Sequence, residues 1–145
     1  MTELLKPGGP FRVAMLVYPR ITHLDLTGPH EVFTNVPGVE VRLYWKDLTP
    51  VTSDSGLQLT PECTFADDSP IDLLCVPGGS GQVELMADDE VLNFLRRTAG
   101  SSRYVTSVCT GFSLAGRCGA APGLSGHHAL DVPGQSLRTG GDSRL

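Results

Sequence analysis

The stretch Arg12-Val-Ala-Met-Leu-Val-Tyr18 is a nearly continuous apolar run between Pro10 and Pro19. An apolar run without alternation is typical of a strand that is buried on both faces, as in a parallel sheet. Residues 71–76 and 103–108 show similar runs, and residues 40–45 alternate between apolar and polar side chains. These four segments predict strands. Residues 48–69 are mixed and predict short strands around a turn at 53–56.

Helical patterns lie between these strands. In Leu24-Asp-Leu-Thr-Gly-Pro-His-Glu-Val-Phe33, Thr27 or Gly28 is expected to cap a helix that has Pro29 at its first position. A second helix is expected to begin after Asp88, and its apolar side chains share one face: Val91, Leu92 and Leu95. Because strands alternate with helices, the sequence predicts an α/β fold with a mainly parallel sheet.

Length and charge narrow the function classes. A chain of 145 residues usually forms one domain, and a net charge of −5 argues against a nucleic-acid partner. No apolar run approaches the roughly 20 residues of a membrane span, and residues 1–10 lack the apolar core of a signal peptide. Four cysteines at positions 63, 75, 109 and 118 show no metal-binding spacing. We therefore expect no metal and no membrane partner, and a cytoplasmic location.

The strongest candidate for chemistry is Cys109, which follows the strand predicted at residues 103–108. At a strand-to-helix turn its sulfur would face the first helix amides, which favour the thiolate. Gly111 fits a nucleophile elbow, but Ser107 stands where that motif has glycine. The alternative is a buried structural cysteine, which is the interpretation that we prefer for Cys75 because it lies inside an apolar strand.

Two further features lie at the carboxyl ends of predicted strands, where α/β sheets bind ligands. The amides of Gly78 and Gly79, with that of Thr110, would form an oxyanion hole, although Pro-Gly-Gly is also common in plain turns. A protonated Asp25 would donate a hydrogen bond to the Cys109 sulfur or a proton to a substrate. On spacing alone, Asp25 is equally compatible with a helix cap. The neighbouring side chains of Tyr18, His23, His30 and Thr106 are interpreted as surface or packing residues.

Three segments together resemble the ThiJ/PfpI superfamily, which has the class I glutamine-amidotransferase-like fold. They are Leu24-Asp-Leu-Thr-Gly-Pro-His-Glu-Val-Phe33, Asp72-Leu-Leu-Cys-Val-Pro-Gly-Gly79 and Tyr104-Val-Thr-Ser-Val-Cys-Thr-Gly111. Within it, Leu43-Tyr-Trp-Lys46 and the Ser55-Gly-Leu57 turn are similar to the isonitrile hydratase subfamily. The resemblance extends from about residue 11 to residue 116. It implies a flavodoxin-like sandwich and a homodimer.

The resemblance also implies the chemistry. Cys109 would be the nucleophile, Asp25 its carboxyl partner, and Thr110 a residue that assists the site. The reaction would be hydration of a small isonitrile to an N-substituted formamide, without metal or organic cofactor. Other members of the superfamily are ligand-binding domains of AraC-type regulators, or proteases, deglycases and chaperones. These functions are the alternatives, although many of those enzymes carry Glu near the position of Asp25.

Residues 117–145 differ in composition from the rest of the chain. They carry 8 glycines and prolines in 29 residues, and no aromatic residue follows Phe112. We therefore expect a tail at residues 1–10, an α/β domain at 11–116 that is incomplete at its C-terminus, and a disordered segment at 117–145. With GC-rich codons, residues 126–131 read one base later give Ala-Thr-Thr-His-Trp, which resembles the superfamily. We interpret the segment, including His127 and His128, as out-of-frame translation; the alternative is a diverged short paralogue, and the gene sequence around codon 117 distinguishes them.

Overall fold

The structure, a computed structural model, describes residues 9–117 of the chain. Its centre is a five-stranded sheet with the order β5-β2-β1-β6-β7, in which every pairing is parallel. A separate antiparallel pair, β3 and β4, lies outside this sheet. The strands are β1 (Phe11–Leu16), β2 (Val39–Trp45), β3 (Val51–Thr52), β4 (Gln58–Leu59), β5 (Cys63–Thr64), β6 (Leu73–Val76) and β7 (Tyr104–Ser107).

The apolar run that begins at Arg12 forms the central strand of the sheet. Between Val13 and Tyr18 every side chain is at most 2% exposed, because neighbouring strands and layers cover both faces of β1. The order reverses at β1, since the chain first adds β2 on one side and then β6 on the other. Such a switch point opens a crevice at the carboxyl ends of the two strands. The predicted flavodoxin-like α/β fold is confirmed.

Four helices connect or follow these strands in the described residues: α1 (His23–Thr34), α2 (Gln82–Leu85), α3 (Asp89–Ser101) and α4 (Gly111–Arg117). The prediction for α3 is confirmed. The Asp88 side chain caps it by accepting hydrogen bonds from the amides of Glu90 and Val91, at 3.1 and 3.3 Å. Its buried face packs over the sheet, where Phe94 stacks on Phe65 with ring centroids 4.2 Å apart.

The predicted start of α1 at Thr27 or Gly28 is wrong. The helix begins at His23 with Thr22 as its N-cap, and Pro29 lies inside it. Thr22 is fixed there because its amide donates to the Gly78 carbonyl and its own carbonyl accepts from Asp25, both at 3.0 Å. Because of these contacts the helix begins at His23, upstream of Pro29, although proline is most common at the first position of a helix. Asp25 consequently lies within the first turn of the helix and is not its N-cap.

The hairpin β3–β4 packs on the loop that follows β1. The amide of Arg20 donates to the Thr52 carbonyl at 2.8 Å, and the amide of Asp54 donates to the Ile21 carbonyl at 2.9 Å. The predicted turn at residues 53–56 is confirmed. This hairpin therefore stands beside the crevice at the end of β1.

Some sequence predictions lie outside the described residues. They concern the tail at residues 1–8 and the segment 118–145 with Cys118, His127 and His128, so the proposed domain limits and the change of frame stay predictions. Within residues 9–117, no helix is long and apolar enough to cross a membrane.

Replacing Asp88 by alanine is expected to lower the free energy of unfolding by about 1–2 kcal/mol, as loss of a helix cap does. Asp88 also pairs with Lys46. The matched control is Asp88→Asn, which keeps a capping oxygen and loses the charge; it is expected to lose much less. Urea denaturation at neutral pH measures both variants. Equal losses in the two variants would contradict a capping role.

The same variants carry a pH test. Burial would raise the pKa of the Asp88 carboxyl, but hydrogen bonds from Lys46 and from the α3 amides outweigh it and lower the pKa. A lowered pKa stabilises the folded state at neutral pH, and this contribution is lost as the pH falls through the folded-state pKa. The stabilities of the wild type and Asp88→Asn are therefore expected to converge below the ordinary value of 3.8.

Candidate active site

Three loops meet at the carboxyl ends of β1, β6 and β7. The amide of Thr22 donates to the carbonyl of Gly78 at 3.0 Å, and Ile21 forms an isolated bridge with Gly79. From the other side, Thr110 Oγ1 accepts a hydrogen bond from the amide of Gly79 at 3.2 Å. The structure therefore brings Asp25, Gly78, Gly79 and Thr110 into one site, although they come from three separate parts of the chain.

Gly78 lies at the centre of this site. A β-carbon built on it would lie 2.8 Å from Asp25 Oδ2 and 2.9 Å from both the amide nitrogen and Oγ1 of Thr110. No side chain fits there without displacing these groups. The glycine therefore leaves a small opening between a carboxyl oxygen and a backbone N–H, which are complementary hydrogen-bonding groups.

Asp25 presents an unpaired oxygen to this opening. Its Oδ2 atom is buried and has no hydrogen-bond partner within residues 9–117. Leaving a buried polar atom unpaired costs about 1–3 kcal/mol, so such atoms are rare in folded proteins. Where one does occur, a catalytic or ligand-binding role is one explanation for it. The alternative interpretation of Asp25 as a helix cap does not hold, since Thr22 occupies the N-cap. The carboxyl group is available to a ligand or a proton.

Cys109 lies at the turn between β7 and α4, as predicted. It is exposed, and its backbone φ of +52° lies in the left-handed region, which is uncommon for a residue with a β-carbon. The exposure excludes a buried structural cysteine at this position. Cys75, in contrast, is fully buried in β6, and desolvation raises the pKa of its thiol to about 12. The prediction that Cys75 belongs to the core is therefore confirmed.

Gly111 explains how the turn at Cys109 is built. A β-carbon on Gly111 would lie 2.1 Å from the carbonyl oxygen of Val76, so only glycine allows α4 to start this close to β6. The amide of Val108 also donates to that carbonyl, at 3.1 Å. The strained backbone of Cys109 is thus held by the neighbouring strand. Strand, sharp turn and helix match a nucleophile elbow, with Ser107 in place of its first glycine.

One of the three amides expected to form the oxyanion hole, that of Gly79, already has a hydrogen-bond partner. The Gly79 N–H is occupied by Thr110 Oγ1, so this amide does not face a substrate in the arrangement observed. The reason is that the Gly78–Gly79 peptide is also fixed by the hydrogen bond from Thr22 to the Gly78 carbonyl. The amides of Gly78 and Thr110 have no hydrogen-bond partner in the described part of the chain. They are the remaining donors beside the opening.

Tyr18 lies beneath the site and is fully buried. Its hydroxyl donates to the Pro77 carbonyl at 2.8 Å, which supports its interpretation as a structural residue. Desolvation raises the pKa of Tyr18, and the negative charges of Asp25, Cys109 and Asp54 raise it further. Asp54 reaches this part of the molecule because its amide donates to the Ile21 carbonyl at 2.9 Å. Sequence reasoning did not place Asp54 here, since only the turn at residues 53–56 was visible.

No contact in the described structure places the side chain of His23 or His30 at the opening beside Gly78. His23 Nδ1 lies 3.2 Å from Ser53 Oγ and 3.0 Å from Ser55 Oγ, so its ring packs on the β3–β4 turn. This agrees with the interpretation of His23 as a packing residue. Within residues 9–117, no group of three His, Cys, Asp or Glu side chains is arranged to hold a metal ion.

Gly78→Ala is expected to lower the free energy of unfolding by about 1–3 kcal/mol, the usual cost of overpacking. Gly100→Ala is the matched control, because a β-carbon at Gly100 meets nothing within 4 Å and alanine favours the helix α3. Chemical denaturation gives both values. A midpoint of Gly78→Ala equal to that of the wild type would refute the crowding around Gly78.

Comparison with known proteins identifies the family of the chain. A model of the DJ-1/PfpI family matches residues 11–127, which include positions beyond Gly116. Isonitrile hydratase from Pseudomonas putida is 49% identical over 112 residues, which are 77% of this chain and 49% of that protein. The crystal structure of a ThiJ/PfpI family protein from Pseudomonas syringae has a TM-score of 0.74 and 38% identity, covering 77% of this chain and 47% of that chain.

A DJ-1 superfamily protein from Agrobacterium tumefaciens has a TM-score of 0.64 and 27% identity, covering 75% of this chain and 58% of that one. The chain thus spans about half the length of the Pseudomonas putida and Pseudomonas syringae relatives. The family model nevertheless covers most of the residues of this chain. The chain belongs to the DJ-1/PfpI family.

Proposed function

We propose that the site hydrates small isonitriles to N-substituted formamides, with Cys109 as nucleophile and Asp25 as proton donor. The observation that carries the proposal is the 49% identity to isonitrile hydratase over 77% of the chain. The geometry is compatible with it, because an exposed cysteine and an unpaired carboxyl oxygen belong to the same group of loops. The proposal includes a homodimer and requires neither metal nor organic cofactor.

In the first step, the Cys109 thiolate attacks the terminal carbon of R–N≡C. A C–S bond forms, and Asp25 gives its proton to the same carbon. The product is a thioimidate, R–N=CH–S–Cys109, and Asp25 is left as a carboxylate. The proton donor is needed because attack places negative charge on the isonitrile carbon. The unpaired Oδ2 of Asp25 supports this role, since no protein group described competes for it.

In the second step, the oxygen of a water molecule adds to the thioimidate carbon. One proton of that water returns to the Asp25 carboxylate, and the other is transferred to the nitrogen. The C–S bond then breaks, the electron pair returns to sulfur, and the carbonyl of R–NH–CHO forms. The amides of Gly78 and Thr110 would stabilise negative charge on the oxygen during addition; one such donor contributes about 3–4 kcal/mol in other enzymes. Thr110 would also hold the turn through Gly79.

Cys109→Ala is expected to abolish formamide formation, because Cys109 carries the one exposed thiol of residues 9–117. Asp25→Asn is expected to slow it by 100-fold or more, within the range of about 10²–10⁴ that general acid–base catalysis contributes. Asp68→Asn is the matched control, because Asp68 precedes β6, whereas the candidate site lies beyond the carboxyl end of that strand. Product formation from a simple isonitrile is followed for the 145-residue chain and for a form with the reading frame restored after codon 116.

Each outcome separates one part of the proposal. Formamide formation that survives Cys109→Ala would overturn the assignment of the nucleophile. Absence of activity in both the 145-residue and the restored form, on several isonitriles, would overturn the hydratase and favour a ligand-binding role. Activity in the restored form alone would place the missing determinants after residue 116.

A further inference from the structure

The turn between β3 and β4 carries a carboxylate to the edge of the site. The Asp54 amide donates to the Ile21 carbonyl at 2.9 Å, which fixes the turn on the loop after β1. Asp54 Oδ2 accepts a hydrogen bond from Thr22 Oγ1 at 3.0 Å. The amide of the same Thr22 donates to the Gly78 carbonyl. A single residue, Thr22, therefore connects the Asp54 carboxylate to the glycine at the centre of the opening.

The charge at this edge is not neutralised locally. Asp54 is exposed, and its one side-chain partner in the described structure is the neutral Thr22 hydroxyl. Arg20 belongs to the same loop, but its guanidinium pairs with Glu84 on α2. The approach to the opening thus carries negative charge from a residue that the proposed reaction does not use.

We propose that Asp54 determines the charge specificity of this site: its carboxylate, held by Thr22 beside Gly78, disfavours anionic substrates and leaves neutral ones unaffected. The inference rests on the proposed location of the site at Cys109. Asp54 is not required for any bond-making step, so its effect is confined to the approach of a charged molecule. Because solvent weakens the field of an exposed carboxylate, the expected change in rate is modest, about two- to fivefold.

The test alkylates Cys109 with iodoacetate or iodoacetamide, which have the same reactive group but differ in charge. Peptide mapping by mass spectrometry isolates Cys109 from the other cysteines. Any change in the thiolate fraction affects both reagents equally, so the ratio of the two rates reports the charge effect alone. This ratio is measured for the wild type, for Asp54→Asn and for the control Asp68→Asn, with 2-mercaptoethanol giving the intrinsic ratio.

In the wild type, the iodoacetate-to-iodoacetamide ratio is expected to lie below that of 2-mercaptoethanol. Asp54→Asn keeps an oxygen for Thr22 and is expected to raise the ratio about two- to fivefold, whereas Asp68→Asn leaves it unchanged. Added salt is expected to raise the wild-type iodoacetate rate and to leave the iodoacetamide rate constant, because screening acts on the charged reagent. This second measurement needs no variant to fold.

An unchanged ratio in Asp54→Asn, or a wild-type iodoacetate rate that salt does not alter, would overturn the inference. Alkylation requires no turnover, so the inference can stand where the hydratase proposal fails. If isonitriles are hydrated, the substrate pair is methyl isocyanoacetate and isocyanoacetate. Asp54→Asn is then expected to raise kcat/KM for the anion alone, about two- to fivefold. Equal changes for both substrates would count against charge selection.

Discussion

The hydrogen bond from the Thr22 amide to the Gly78 carbonyl is the contact on which the site depends. It joins the loops that follow β1 and β6 at the point where the order of strands reverses. On one side of this bond, Thr22 begins α1 and thereby places Asp25 in the first helical turn. On the other side, it fixes the Gly78–Gly79 peptide, whose N–H is held by Thr110. One backbone contact thus orients groups from all three loops.

Close approach also explains why the motifs are rich in glycine. Gly111 allows α4 to start against the Val76 carbonyl, and Gly78 allows the Asp25 carboxyl and the Thr110 amide to face the same opening. Two features of this arrangement are energetically unfavourable. The Asp25 carboxyl oxygen Oδ2 has no hydrogen-bond partner within residues 9–117, and the backbone of Cys109 is left-handed. Strain of this kind persists only where surrounding contacts enforce it. Here the enforcing contacts come from the well-packed strands β1 and β6.

The sequence predicted the structure correctly where the determining interactions lie between residues close together in the chain. Uninterrupted apolar runs predicted the parallel strands, and Asp88 predicted the start of α3, because burial on both faces and capping act within a few residues. It failed at α1, where a tertiary bond to Thr22 overrides the preference of Pro29 for a first turn. It also could not foresee that Thr110 Oγ1 occupies the Gly79 amide, since that contact spans 31 residues. Asp54 was missed for the same reason.

These failures have a common physical origin that bears on function. A motif identifies groups with suitable chemistry, such as Cys109 and Asp25. The electrostatic environment of these groups, however, is determined by residues from other loops. Asp54 reaches the site only because β3 and β4 fold back on the loop after β1. Relatives can therefore share the motif residues and still differ in the charge at the approach to the opening. The proposed charge selection is therefore assigned to the β3–β4 hairpin, while the proposed reaction is assigned to the loops that follow β1, β6 and β7.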